Sequence, residues 1–148
     1  MTESPTPAEA EDPTAAALAE ALSAEHAAVY GFEFVGGAAG DQPRRERASA
    51  AAYEHKALRD ALHAAAVERG IDPPPALASY PLPEGRGGDD MDAFAAGLEE
   101  TTMSACLWLS ASADTDLRIT AARILQEATV RALVWGSELD SLPGFDQA

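Results

Sequence analysis

Cysteine is almost absent: Cys106 is the single thiol in 148 residues. That excludes an intramolecular disulfide and a cysteine-built zinc site, and it accords with a reducing, cytoplasmic setting. Aromatic residues are scarce, 6% against 47% hydrophobic residues, so alanine carries much of the apolar content. Alanine is the best helix former and has almost no bulk, so helices faced with it can approach closely. Positive charge is also scarce, with 10 Lys and Arg against 25 Asp and Glu and a formal net charge of −15. Such a chain is repelled by phosphate backbones and anionic lipid, which sets nucleic acid and membrane surfaces aside as partners. A solvated acidic surface is the plain meaning of the charge, and a basic partner is the other. No apolar run approaches the roughly 18 residues of a membrane span. Met1 to Thr14 lacks the basic and apolar regions of a signal peptide.

What is present is helical periodicity, punctuated by glycine and proline. Residues 1–13 read as a disordered acidic tail. Asp12 or Thr14 is placed to cap a first helix over about 14–35, ended by Gly36, Gly37 and Gly40. Its inward stripe is Leu18, Leu22, Glu25, Val29 and Phe32, a 4-3-4-3 spacing. Pro43 opens a second helix over about 44–69 with the stripe Ala51, His55, Leu58, Leu62 and Ala65. Gly70 stops it, and Pro73, Pro74 and Pro75 bar continuation. Residues 70–90 read as an extended, partly polyproline-like crossover, laid on the bundle by Ala76, Leu77, Tyr80 and Leu82. The third helix, about 91–112, is phased on Phe94, Leu98, Thr101 or Thr102, Ala105, Trp108 and Leu109. The fourth, about 115–139, carries Leu117, Ala121, Ile124, Ala128, Ala132, Trp135 and Leu139. A C-terminal tail covers 141–148, with Phe145 as its docking residue.

The link lengths imply a topology. Short links make antiparallel neighbours, so helices 1 and 2 pair, as do helices 3 and 4. The middle link is long enough to run the length of the bundle. Helices 2 and 3 then lie parallel, which is the ferritin-like arrangement of an all-α four-helix bundle. An up-down bundle with a long loose loop is the alternative, and the prolines favour reach.

A dinuclear metal centre in that fold needs carboxylates from all four helices and a histidine one turn after two of them. Glu25 qualifies on helix 1. On helix 2 the only matching spacing is Asp60-x-x-His63, which points away from the stripe, and Glu54 is followed at the right distance by Ala57. Glu99 and Glu100 fall well off the face assigned to helix 3, and helix 4 has no histidine. The expectation is therefore no metal, no cofactor and no catalytic residue, with a single metal on Glu25 and His55 as a minor alternative.

The inward polar residues suggest another use. Glu25 and His55 lie on their stripes, and Arg131 sits roughly 60° off the centre of its own. Unpaired buried charge costs several kcal/mol, so Glu25 is expected to pair with His55, Arg131 or both, or else to reach solvent by a small helix rotation. His26, Tyr30 and Glu33 flank the same stripe, as the wall of a small polar pocket or as an ordinary boundary. Trp108 and Trp135 read as core anchors and Cys106 as a core filler. No nucleophile elbow or phosphate loop is present; the Gly85, Gly87, Gly88 cluster follows no strand.

The run Leu18-x3-Leu22-x2-Glu25-His26-Ala27-Ala28-Val29-Tyr30-Gly31 resembles the opening helix of a family of short bacterial ferritin-like proteins of unknown function. Tyr53, His55, Arg59 and Asp60, the Pro73-Pro74-Pro75 start of the crossover with Tyr80 and Leu82, and Arg131 with Trp135 extend the likeness over about 15–145. The resemblance implies a ferritin-like bundle with no assigned activity, and it attaches no role to Glu25, His26 or Tyr30. The leading expectation is a non-enzymatic domain acting through association, first as a homodimer. A degenerate metal-binding oxidoreductase and a small-molecule-binding bundle with a polar pocket near Glu25 and His55 are the alternatives.

Overall fold

The described residues form four helices: α1 Pro13–Ala38, α2 Gln42–Glu68, α3 Gly88–Leu109 and α4 Thr115–Val134. They are taken from a computed structural model that describes residues 12–138 and 141–143. Residues 1–11 of the acidic tail expected over 1–13, and the docking expected of Phe145, lie outside the described residues. Three starts are capped by an aspartate, and α3, whose cap residue is Gly87, has an aspartate bonding back from its first turn. Asp12, Asp41 and Asp114 accept hydrogen bonds from the backbone N–H of Thr14, Arg44 and Leu117, and the Asp90 carboxylate accepts from Gly87 N–H.

Two ends follow one pattern. After α2, Gly70 takes φ +67°, and Ile71 N–H closes on Ala66 O at 2.9 Å. After α4, Gly136 takes φ +103°, and Ser137 N–H closes on Ala132 O at 2.9 Å. This is the Schellman cap, in which a left-handed residue turns the chain back onto its last carbonyls. Gly136 therefore ends α4 at Val134, short of the expected Leu139. At the other extreme, α1 runs through Gly36 and Gly37 to Ala38, beyond the expected Val35. Asp12 and Pro13 belong to the cap and first position of α1 and not to a tail.

The topology is legible in the contacts between helices. Arg44 at the start of α2 grips Asp92 at the start of α3 with Nε–Oδ1 2.8 Å and Nη2–Oδ2 2.9 Å. Arg69 at the end of α2 reaches Asp114 beyond α3, Nε–Oδ2 2.6 Å. Start meets start and end meets end, so α2 and α3 are parallel. α1 runs against α3, since Thr14 Oγ1 meets Ser112 Oγ at 2.7 Å while Phe34 stacks edge-on with Phe94. The molecule is thus a four-helix bundle of two antiparallel hairpins, with α1 packed on both α2 and α3. The crossover spans the roughly 40 Å of the 27-residue α2. It is held by Ile71 against the core, by the Pro74 carbonyl on His26 Nε2 at 3.2 Å, and by Tyr80 on Tyr30 with ring centres 5.4 Å apart. The expected Ala76, Leu77 and Leu82 face solvent instead.

α3 is rotated from its expected phase. Its buried face runs through Met91, Ala95, Glu99, Thr102, Cys106 and Leu109. Phe94 and Leu98 are only partly buried, and Trp108 is 48% exposed, so it is no core anchor. A Cβ at Gly31 of α1 would stand 2.5 Å from Leu98 Cδ1 and 3.1 Å from Phe94 Cζ, so the missing side chain leaves room for these two large residues against α1. The small Ala95, Ala96, Ala105 and Cys106 take the buried face.

Replacing Gly70 or Gly136 by alanine forces a Cβ into the left-handed region and should cost about 1 kcal/mol each. Thermal melts are expected to fall by roughly 2–4 °C per substitution. Unchanged midpoints would show that the two caps do not constrain the helix ends.

A buried charged layer as the candidate functional site

Two large apolar regions of the interior are separated by a polar layer, and Met103, Ala128 and Ala132 form a small third cluster. One region holds Leu18, Leu22, Leu62, Leu109, Leu117 and Ile124. The other holds Phe32, Val35, Ala48, Met91, Ala95 and Trp135. Between them Glu25, His55 and Glu99 are fully buried. The placement follows from each helix: Glu25 continues the Leu18/Leu22 stripe, His55 that of Ala51/Ala52, and Glu99 that of Met91/Ala95.

The geometry is a chain of hydrogen bonds. His55 Nδ1 donates to Glu25 Oε2 at 2.6 Å, and His55 Nε2 donates to Glu99 Oε1 at 3.0 Å. A carboxylate only accepts, so a ring bonded to two of them carries both protons and is an imidazolium. Arg131 of α4 donates from Nε to the same Glu99 Oε1 at 2.8 Å and from Nη1 to Glu54 Oε2 at 3.0 Å. Phe32 stacks on the imidazole, with centroids 5.2 Å apart and planes 13° from parallel. Every helix contributes: two carboxylates and two side-chain cations share the buried layer, and Glu54 closes it at the surface.

Burial opposes charge on His55, but the hydrogen bonds and charges of Glu25 and Glu99 outweigh it and raise the imidazole to about 9. Burial likewise works against the Arg131 cation, and Glu99 overcomes it to hold the pKa above the usual value. Cys106 sits near the layer; burial, reinforced by the Glu25 charge, pushes its thiol well above the ordinary range. A thiol so raised is a poor nucleophile. Glu25 Oε1, Glu99 Oε2, Thr102 Oγ1 and Arg131 Nη2 find no hydrogen-bond partner among the described residues. The layer thus bears a desolvation cost that its ion pairs offset.

The structure brings Glu25 and His55 into direct contact, and Arg131 joins them through Glu99. Glu99 was expected off the face of α3, and its burial is the main correction to the sequence reading. The Met91, Ala95, Glu99, Thr102, Cys106, Leu109 spacing carries its signal, but the bulkier Phe94 and Trp108 dominate a wheel drawn by size. His26 and Tyr30 lie under the crossover, and Glu33 pairs with Lys56 at 2.5 Å on the outer face. Asp60 pairs with its neighbour Arg59, and His63 is exposed.

Do these residues fit a metal? Among the described residues no group of three or more His, Cys, Asp or Glu is arranged to hold an ion. His55 explains it: its two nitrogens point to opposite edges of the ring, so Glu25 and Glu99 flank the ring and do not converge with it on one point. The fourth helix brings Arg131 to Glu99, and a guanidinium repels a cation. The residues do not fit a dinuclear centre.

Fold and interior define an all-α four-helix bundle whose core is crossed by a salt-linked layer. The chain belongs to the family described as a domain of unknown function, DUF4439, whose profile matches residues 17–147. It is similar to the crystal structure of a conserved hypothetical protein, rv2844, from Mycobacterium tuberculosis, at 27% identity and TM-score 0.79 over 86% of this chain and 97% of that one. The comparison with curated proteins finds no match. No described helix is long and apolar enough to cross a membrane.

Because the folded value of His55 lies above its ordinary 6.5, its contribution is complete below about 6.5 and is lost as pH rises through about 9. Urea unfolding of the wild-type chain should show a loss on the order of 3 kcal/mol across that window. In Glu99→Gln the fall should be smaller and finish at lower pH. A wild-type stability that is flat from neutral to alkaline pH would remove the buried imidazolium.

Proposed function

We propose that this chain is a ferritin-like helical module of the cytoplasm that acts through association, first as a homodimer, and that its charged interior is structural and not catalytic. The observation that carries the reading is the Glu25–His55–Glu99–Arg131 chain. Each cation lies on a carboxylate, and the three innermost residues are shut off from solvent. A reacting group has to meet its substrate, and His55 has both nitrogens engaged and Phe32 on its face. A buried network of this kind is suited to setting helix register. With the interior closed, function falls to the outer surface.

A second reading draws on one specific feature, the delivery of Glu25, His55 and Glu99 from three helices to one layer. In that reading a metal ion displaces the His55 protons and the protein is a degenerate metal binder or oxidoreductase. Metal analysis of protein purified without chelator separates the two. The structural reading expects substoichiometric metal and no gain in melting temperature on adding divalent cations. One tightly held ion per chain would overturn it. Light scattering is expected to give a dimer mass, and a strict monomer at high concentration would remove association as the mode of action.

A further inference from the structure

The α2–α4 side is the least closed side of the bundle. α1 packs closely on α2 and α3, and α3 on α4, while α2 and α4 make no comparably dense contact. A groove runs between them. Its larger part, about 570 Å³, is lined by Tyr53, Ala57, Leu58, Glu127 and Val130. Past the Glu54–Arg131 pair it continues as a smaller part of about 140 Å³ between Arg47, Ala50, Val134 and Trp135. Tyr53 is 78% and Val130 62% exposed on its rims.

The charges of this groove are ordered along its length. Arg131 is already occupied by Glu99 and Glu54. Arg47 marks one end, with its guanidinium carbon 5.1 Å over the Trp135 ring, and Glu127 marks the other, beside Ala57 and Leu58. Arg47 stands six residues before Tyr53 on α2, roughly 9 Å along the axis. Glu127 lies level with residues four or five positions after Tyr53, roughly 6–8 Å the other way. A patch with a cation and an anion at similar distances on either side of its centre is complementary to itself under a two-fold rotation.

We propose that a second copy of this chain occupies the groove. A two-fold axis at Tyr53 and Val130 lays the α2–α4 faces together end to end, and Arg47 of each copy meets Glu127 of the other. Ala50 and Ala57 let the helices approach, and Tyr53 and Val130 supply the apolar centre. The two charge pairs set orientation against the mutual repulsion of two chains of formal charge −15. The inference rests on the association reading above and names its surface.

Sedimentation of the full chain from micromolar to near-millimolar concentration tests it. The wild type is expected to dimerise, and Tyr53→Glu to sediment as a folded monomer. Arg47→Glu and Glu127→Arg each create two like-charge contacts and are expected to weaken the dimer about tenfold or more. The double reversal Arg47→Glu with Glu127→Arg is expected to restore the wild-type constant to within about threefold, a rescue that misfolding cannot imitate. Circular dichroism melts check that each variant is folded. A wild-type dimer that ignores all four variants overturns this surface and leaves association standing. A wild-type monomer at every concentration overturns both, as does a monomer that retains a basic peptide or small molecule in the groove after purification.

Discussion

A buried imidazolium held between two buried carboxylates is the constraint from which the rest of the structure follows. His55 cannot leave the layer without stranding Glu25 in a low-dielectric interior and leaving Glu99 to Arg131 alone. Helices α1, α2 and α3 are therefore locked in height and rotation at one level, and Arg131 ties α4 to the same level through Glu99. Apolar side chains slide past one another at small cost, whereas two directional bonds to one ring do not. The two apolar regions above and below then pack in a single register. Arg44–Asp92 and Arg69–Asp114 hold the same register at the two ends of α2.

The chemistry of the layer bears on function by what it occupies. Four-helix bundles that work on metals or substrates use inward carboxylates and histidines as open ligands. Here the inward groups are spent on one another. The imidazole gives both nitrogens to carboxylates, the guanidinium shares Glu99 Oε1 with it and reaches Glu54 Oε2, and Phe32 covers the ring. The Cys106 thiol is held protonated by burial and by Glu25. Reactive groups are present in the core, and each is neutralised by a neighbour. The surface differs, because the α2–α4 groove leaves Tyr53 and Val130 in solvent.

Much of this was legible in the residues, and the failures have one cause. The α1 stripe of Leu18, Leu22, Glu25, Val29 and Phe32 is buried throughout, because α1 lies against both neighbours and its large residues all point inward. The α3 stripe was misphased because helix wheels weight bulk. The buried face of α3 holds the small Ala95, Ala96, Ala105 and Cys106, while Leu98 and Phe94 fill the space beside Gly31. Phe94 moves to a seam with Phe34, and Trp108 turns outward. Glu99 is hidden by the same effect: assigned by size, α3 presents no carboxylate to the core, and assigned by closeness of approach, it presents one. Arg131 was legible only as a neighbour of the stripe, since nothing local states which acid a long side chain will reach.

By itself, the order of residues determined the number of helices and the parallel run of α2 and α3. Those properties depend on short-range rules: a cap needs an Asp beside it, a Schellman turn needs a glycine, and a proline-rich link can only be extended. It also determined that Glu25 and His55 face inward, because each lies on an unambiguous stripe. Only the tertiary structure decided the rotation of α3, the meeting of Glu99 with His55 and Arg131, and the open side between α2 and α4. Rotation about a helix axis is set by which neighbour comes closest, and that distance is a property of two surfaces that neither helix encodes alone.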